Sequence, residues 1–137
     1  KKMKNFVTIL LAGVTVLTVS VGLLFGMISF IPALIEEYYS PVFRSNSFNT
    51  DWLFYLHPFV LSAAFFWFWN RYKEELINST GIVRALKASF TYGLVAMAPV
   101  LLLTFSAIDI SVFMVLTWLV YGILQALLAS LVFEWRG

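Results

Sequence analysis

The sequence predicts an all-α membrane protein: one domain over residues 1–137, built as a bundle of four transmembrane helices with both termini in the cytoplasm. Three observations predict it. The chain is 61% hydrophobic and only 12% charged, where a soluble domain carries about 25% charged residues. Four apolar runs each reach the roughly 20 residues that a helix needs to cross a bilayer core of about 30 Å. Eight of the nine Lys and Arg residues (all but Arg44) then fall on one side of the layout, and the positive-inside rule makes that side cytoplasmic. Helices satisfy their own backbone polar groups within lipid. A β-barrel would need short alternating segments, and these runs are long and continuously apolar.

The first span covers about Phe6 to Ile31, without a charge and with Pro32 at its outer end. Its start, KKMKNF, resembles the opening of a signal peptide. The apolar run exceeds a usual signal core, however, and Thr18-Val19-Ser20 is a poor cleavage site, so retention as a span is expected. Thr15, Thr18, Gly22 and Gly26 offer a narrow face that includes a GxxxG pattern. A polar outer loop follows, over about residues 36–51, with Glu36 and Glu37 at its beginning.

The second span runs from about Trp52 to Tyr72, with Asp51 placed to cap it. Trp52 and Tyr55 mark its outer end, and Trp67, Trp69 and Tyr72 its inner end, as interfacial aromatics do. The run Phe65-Phe66-Trp67-Phe68-Trp69 covers all sides of its helix and so reads as lipid contact and anchoring. In the third span, about residues 88–108, Ser79 or Thr80 can cap a helix that starts in the cytoplasmic loop. Arg84 and Lys87 would snorkel toward headgroups. Asn78-Ser79-Thr80 also matches a glycosylation pattern, which a cytoplasmic loop could not use. Pro99 is expected to bend this span. The fourth span covers about residues 110–133, with Asp109 as its expected cap after a very short turn, which makes the last two spans an antiparallel hairpin. Ala85, Ser89 and Gly93 on the third span and Gly122, Ala126 and Ser130 on the fourth recur every four residues. Such faces suit packing within the bundle or between copies of it.

Candidate functional residues are few. His57, the single histidine, precedes Pro58 near the outer end of its span. Proline removes an amide donor and disfavours helical geometry in the residue before it, so His57 can be a kink residue. Alternatively, it is the titrating member of an outward-facing polar pocket with Glu36, Glu37, Asp109, Tyr38, Tyr39 and Tyr55, since ionisable groups near apolar spans are functional candidates. Thr117, Tyr121 and Gln125 form a second polar stripe at four-residue spacing. Gln125 would make an interhelical hydrogen bond or line a polar path with Thr91 or Thr104.

Cysteine is absent, which removes disulfides, thiolate ligands and cysteine nucleophiles. A single histidine without paired-ligand spacing is no metal signature, and no haem or other cofactor is expected. A net charge of +2 without a basic, aromatic-rich patch points away from nucleic acid. No nucleophile–base pair is visible, so an enzyme is not expected.

The first span closing on Glu37-Tyr38-Tyr39-Ser40-Pro41-Val42-Phe43, the tryptophan at Trp52, and a glycine-bearing final hairpin around Gly93, Asp109 and Gly122 resemble a family of small, uncharacterised four-span bacterial membrane proteins. The resemblance implies a plasma-membrane location and supplies no catalytic residues. Beyond lipid, the leading expectation is a non-enzymatic membrane component that binds a protein or lipid partner or another copy of itself. The second is an oligomeric transporter or channel for a small solute, and the third an intramembrane enzyme.

Overall fold

The structure, a computed structural model, describes residues 1–44, 48–75 and 78–137. Residues 45–47 of the expected outer loop lie outside the described residues. The described residues form five helices: α1 (Lys2–Phe30), α2 (Pro32–Tyr38), α3 (Phe48–Tyr72), α4 (Gly81–Ala107) and α5 (Val112–Arg136). All but α2 are long and apolar enough to cross a bilayer. Each of the four reaches beyond the run that hydropathy marks, at one end or both. Hydropathy reports where lipid lies, whereas caps and prolines set where a helix stops.

The break between α1 and α2 shows this. Proline disfavours the helical region for the residue before it, and Ile31 accordingly leaves the helix at φ −134°, ψ 66°. Pro32 then opens α2, where its missing amide costs nothing. The short helix folds across one end of the bundle and buries Leu34 against Ile110 and Met114. Pro58, by contrast, lies inside a continuous α3. Pro99 leaves a different mark: it cannot donate to the carbonyl of Val95, and the backbone just before it widens into a π-turn over Gly93–Met97.

α5 is the hub of the bundle. It packs against α1, α3 and α4, while α1 and α3 also pack on each other. The core gathers Ala12 and Val16 of α1, Leu61, Phe65 and Trp69 of α3, and Ala126, Ala129 and Phe133 of α5. This revises the reading of the aromatic run as lipid contact. Phe65 and Trp69 are core residues, and only Trp67 is exposed, because a helix packed on two neighbours must turn two aromatics of such a run inward. Trp69 is therefore not an interfacial anchor.

Small residues allow the closest approaches. On Gly93 a Cβ would stand 2.5 Å from Ile123 Cγ1, and on Gly122 it would stand 3.0 Å from Met97 Sδ. Ala126 is wholly buried beside them. Gly22 and Gly26 have nothing within 4 Å of a Cβ, so the GxxxG face packs on no other described part of the chain.

Two helix starts are held from a distance. The cap of α5 is Ser111, whose Oγ accepts from the Met114 amide at 3.1 Å; the expectation that Asp109 caps this helix is corrected, since Asp109 lies two residues too early and is exposed. Glu37 completes the cap, accepting from the Ser111 amide at 2.6 Å and from its hydroxyl at 2.8 Å. At the opposite end, Thr80 holds the cap position of α4 without a side-chain bond. Gly81 takes a φ of 51°, a left-handed value open to glycine, and its amide donates to Glu134 of α5 at 3.2 Å. Arg84 donates to both Glu134 oxygens, at 3.0 and 2.9 Å, and to the Ser79 carbonyl at 2.8 Å. Lys87 donates to Ser79 Oγ at 2.6 Å. Arg84 and Lys87 are thus engaged within the protein, not extended toward headgroups, because Glu134 and Ser79 lie within reach.

Candidate functional site

A cleft of about 1000 Å³ enters the bundle at the α2 end, between α1, α2, α3 and α5. Its walls are aliphatic where α1 and α2 meet, at Leu24, Met27, Ile28, Leu34 and Ile35, with Phe54 opposite. Polar groups sit at two levels. Tyr39, Arg44, Asp51 and Tyr55 ring the mouth, and Ser20, Thr117 and Tyr121 lie deeper.

The wall nearest α2 is an aromatic trio. Tyr38 and Phe43 have ring centroids 5.2 Å apart, and Phe43 meets Trp118 edge-on at 6.1 Å. Trp118 donates its indole N–H to the Tyr38 hydroxyl. Burial pushes the Tyr38 phenol above its usual 10.0; the Trp118 bond opposes this, and Tyr121 and Glu37 add to it. Tyr38 therefore stays neutral and serves as a wall and a hydrogen-bonding group, not as a charge.

The floor is closed. Gln125 donates from Nε2 to Ser20 Oγ at 3.2 Å, joining α5 to α1 in a buried bond. Below it the packed core fills the bundle. Thr117 turns its hydroxyl back to the Phe113 and Met114 carbonyls, at 2.7 and 3.0 Å, and so leaves its methyl and backbone to the cleft.

The structure separates the other sequence-derived candidates. Tyr55 and Tyr121 line the cleft, with Gln125 joined to the Ser20 at its floor. Glu37 borders Tyr38 but is committed to the α5 cap. His57 is exposed and lines no part of the cleft, as are Glu36 and Asp109. The expected pocket around His57 is therefore not assembled: α3 continues helically through Pro58, and it is Phe54 and Tyr55, both exposed, that line the cleft instead. Thr91 and Thr104 bond the carbonyls one turn back, at 2.8 Å each, and form no path with Gln125. Sequence reasoning does not single out Trp118, Ser20 or Arg44 as cleft residues. Ser20 carries a signal, since Ala12, Val16 and Ser20 share one face at four-residue spacing.

The fold and this cleft define a polytopic membrane protein of the four-span helical class, with one end of the bundle hollowed between three spans. No known protein family, no curated protein and no solved structure matches the chain. The expected resemblance to an uncharacterised bacterial family thus finds no match, and the four long apolar helices stand as a four-span layout alone.

Proposed function

We propose that the protein is a non-enzymatic plasma-membrane component that holds an amphipathic, lipid-like ligand in the cleft. The observation that carries this reading is the cleft itself: about 1000 Å³, aliphatic in its walls and polar at its mouth. That volume is at the upper end of the range of small-molecule sites, which are mostly apolar with a few placed polar groups. An acyl chain would lie along Leu24, Met27 and Ile28, and a polar head would meet Tyr39, Arg44 and Tyr55. The closed floor favours holding over passage. A solute entering from the mouth meets the Ser20–Gln125 bond and then packed aromatics, so among the described residues a transporter would have no continuous polar route within one chain.

The test is labelling of the reconstituted protein with a diazirine-bearing fatty acid, followed by peptide mapping. Label is expected on the segments around Leu24–Ile28 and Thr117–Tyr121, and on lipid-facing Leu102 and Leu103, which are 71% and 70% exposed. In Thr117→Trp, whose added indole takes up part of the deep end of the cleft, the first two should label more weakly while the lipid-facing site keeps its label. Equal labelling of the cleft segments in both proteins would defeat the proposal.

A further inference from the structure

A second cleft, of about 490 Å³, opens at the other end of the bundle, where the start of α1 meets the ends of α3 and α5. It shares no residue with the α2-end cleft. Its aromatic base is Phe66, Trp69 and Phe133, with Phe66 and Trp69 centred 5.2 and 6.0 Å from Phe133. Its rim holds Lys1, Lys4, Lys73 and Arg136 with one acidic side chain, Glu74, and the Gly137 backbone.

The cations at this end differ in what they touch. Arg84 and Lys87, outside the cleft, are taken up by Glu134 and Ser79. Among the described residues, none of the four rim cations lies within salt-bridge distance of a carboxylate side chain; the Arg84–Glu134 pair is the one such side-chain contact. Lys4 makes one hydrogen bond, to the Gly137 carbonyl at 3.1 Å, and an ammonium has three protons to give. Among the described residues Arg136 Nε is buried without an acceptor, as Arg84 Nε also is, and the Arg136 guanidinium lies 6.0 Å from the centre of the Trp135 ring. A buried donor left unpaired is costly. Four cations thus line one cleft with an aromatic base, and the guanidinium of one of them is part-buried there.

We propose that this cleft binds a phosphate-bearing anion, supplied in the bilayer by the headgroup of an anionic phospholipid. The geometry suits it. Trp69 and Phe133 lie at the ends of spans, where acyl chains give way to headgroups, and Lys4, Lys73 and Arg136 stand just beyond them. Basic pockets between transmembrane helices bind phosphate headgroups in this manner, and a guanidinium can grip phosphate oxygens in parallel. The site does not depend on what occupies the α2-end cleft.

The experiment is native mass spectrometry of the full chain released from nanodiscs of phosphatidylglycerol and phosphatidylcholine in equal amounts. The wild type should retain phosphatidylglycerol preferentially. Lys73→Gln/Arg136→Gln should reduce that retention about tenfold or more, the loss that follows when hydrogen bonds to a charged group are removed. Lys2→Gln/Arg71→Gln, which removes two cations of the same end outside the cleft, should retain it as the wild type does. Equal losses in both variants would mean a general basic belt and overturn the site. Equal retention of both lipids by the wild type would overturn it without any variant. Millimolar inorganic phosphate should leave the lipid bound; displacement would assign the cleft to a free anion and reject the lipid.

Discussion

Adding one methyl group to each of five helical glycines separates those that set helix distances from those that merely lie on a helix. At Gly93 the methyl would meet Ile123, a β-branched side chain with little rotamer freedom. At Gly13 it would meet the Phe59 ring, with Cε1 at 2.8 Å. At Gly122 it would meet the end of Met97, an unbranched side chain that adapts readily. Gly13→Ala and Gly93→Ala are therefore expected to cost about 1 to 3 kcal/mol as overpacking, and Gly122→Ala less. Gly22→Ala and Gly26→Ala should be neutral or stabilising, by up to about 1 kcal/mol from helix propensity. The midpoint of unfolding in mixed detergent micelles reads all five; a cost at Gly22 matching that at Gly93 would contradict the packing. Gly93 and Gly122 are legible in the sequence because each belongs to a stripe of small residues. Gly13 is not, because Ile9 and Leu17 flank it on its own face and no stripe forms. Gly22 and Gly26 show the reverse: the pattern is present, and no described helix of this chain packs on it.

At the scale of helices, the bundle is fastened by glutamates that serve a helix other than their own. The first amides of a helix lack internal partners, and a carboxylate placed there satisfies them while opposing the positive end of the helix dipole. Glu134 does this for α4 and also holds Arg84, with side chains only 23% and 22% exposed. Removing one partner of so enclosed a pair strands the other, so Glu134→Ala is expected to lower stability by about 2 to 3 kcal/mol. Glu134→Gln keeps an acceptor for the Gly81 amide and should cost less. Amide hydrogen exchange of the first turn of α4 is the discriminating readout: it should rise strongly in the alanine variant and only partly in the glutamine variant. Exchange unchanged in both would show that Glu134 does not hold this helix start. Hydropathy makes the four spans legible, since it measures the lipid each segment must meet. It is silent on these fastenings, because a charged residue at a span end looks the same whether it faces water or a neighbouring amide. The α2 helix is equally hidden: its seven residues are too few for a periodicity, and only Pro32 marks its start.

For the whole molecule, between 22% and 28% of each span's most apolar window is buried within the bundle, which leaves most of the helical surface to lipid or to partners. What such a protein can bind from either side depends on which end faces out, and the two ends differ in character. One carries the cleft walled by Tyr38, Phe43 and Trp118; the other carries the cleft rimmed by Lys1, Lys4, Lys73 and Arg136 and the Arg84–Glu134 fastening. The charge asymmetry favours the cationic end in the cytoplasm, where anionic lipid would also attract Lys73 and Arg136, with the α2-end cleft open to the exterior. The absence of native cysteine makes this directly measurable. Tyr39 is 78% exposed at the mouth of the α2-end cleft, and Glu75 is exposed in the turn after α3. A single cysteine at Tyr39 should react with a membrane-impermeant maleimide on intact cells, and one at Glu75 only after permeabilisation. The opposite pattern would invert the bundle. Ligands for the aromatic cleft would then have to come from the cytoplasm, and the cationic cleft would face a leaflet away from the cytoplasmic anionic lipid that its charge is suited to hold.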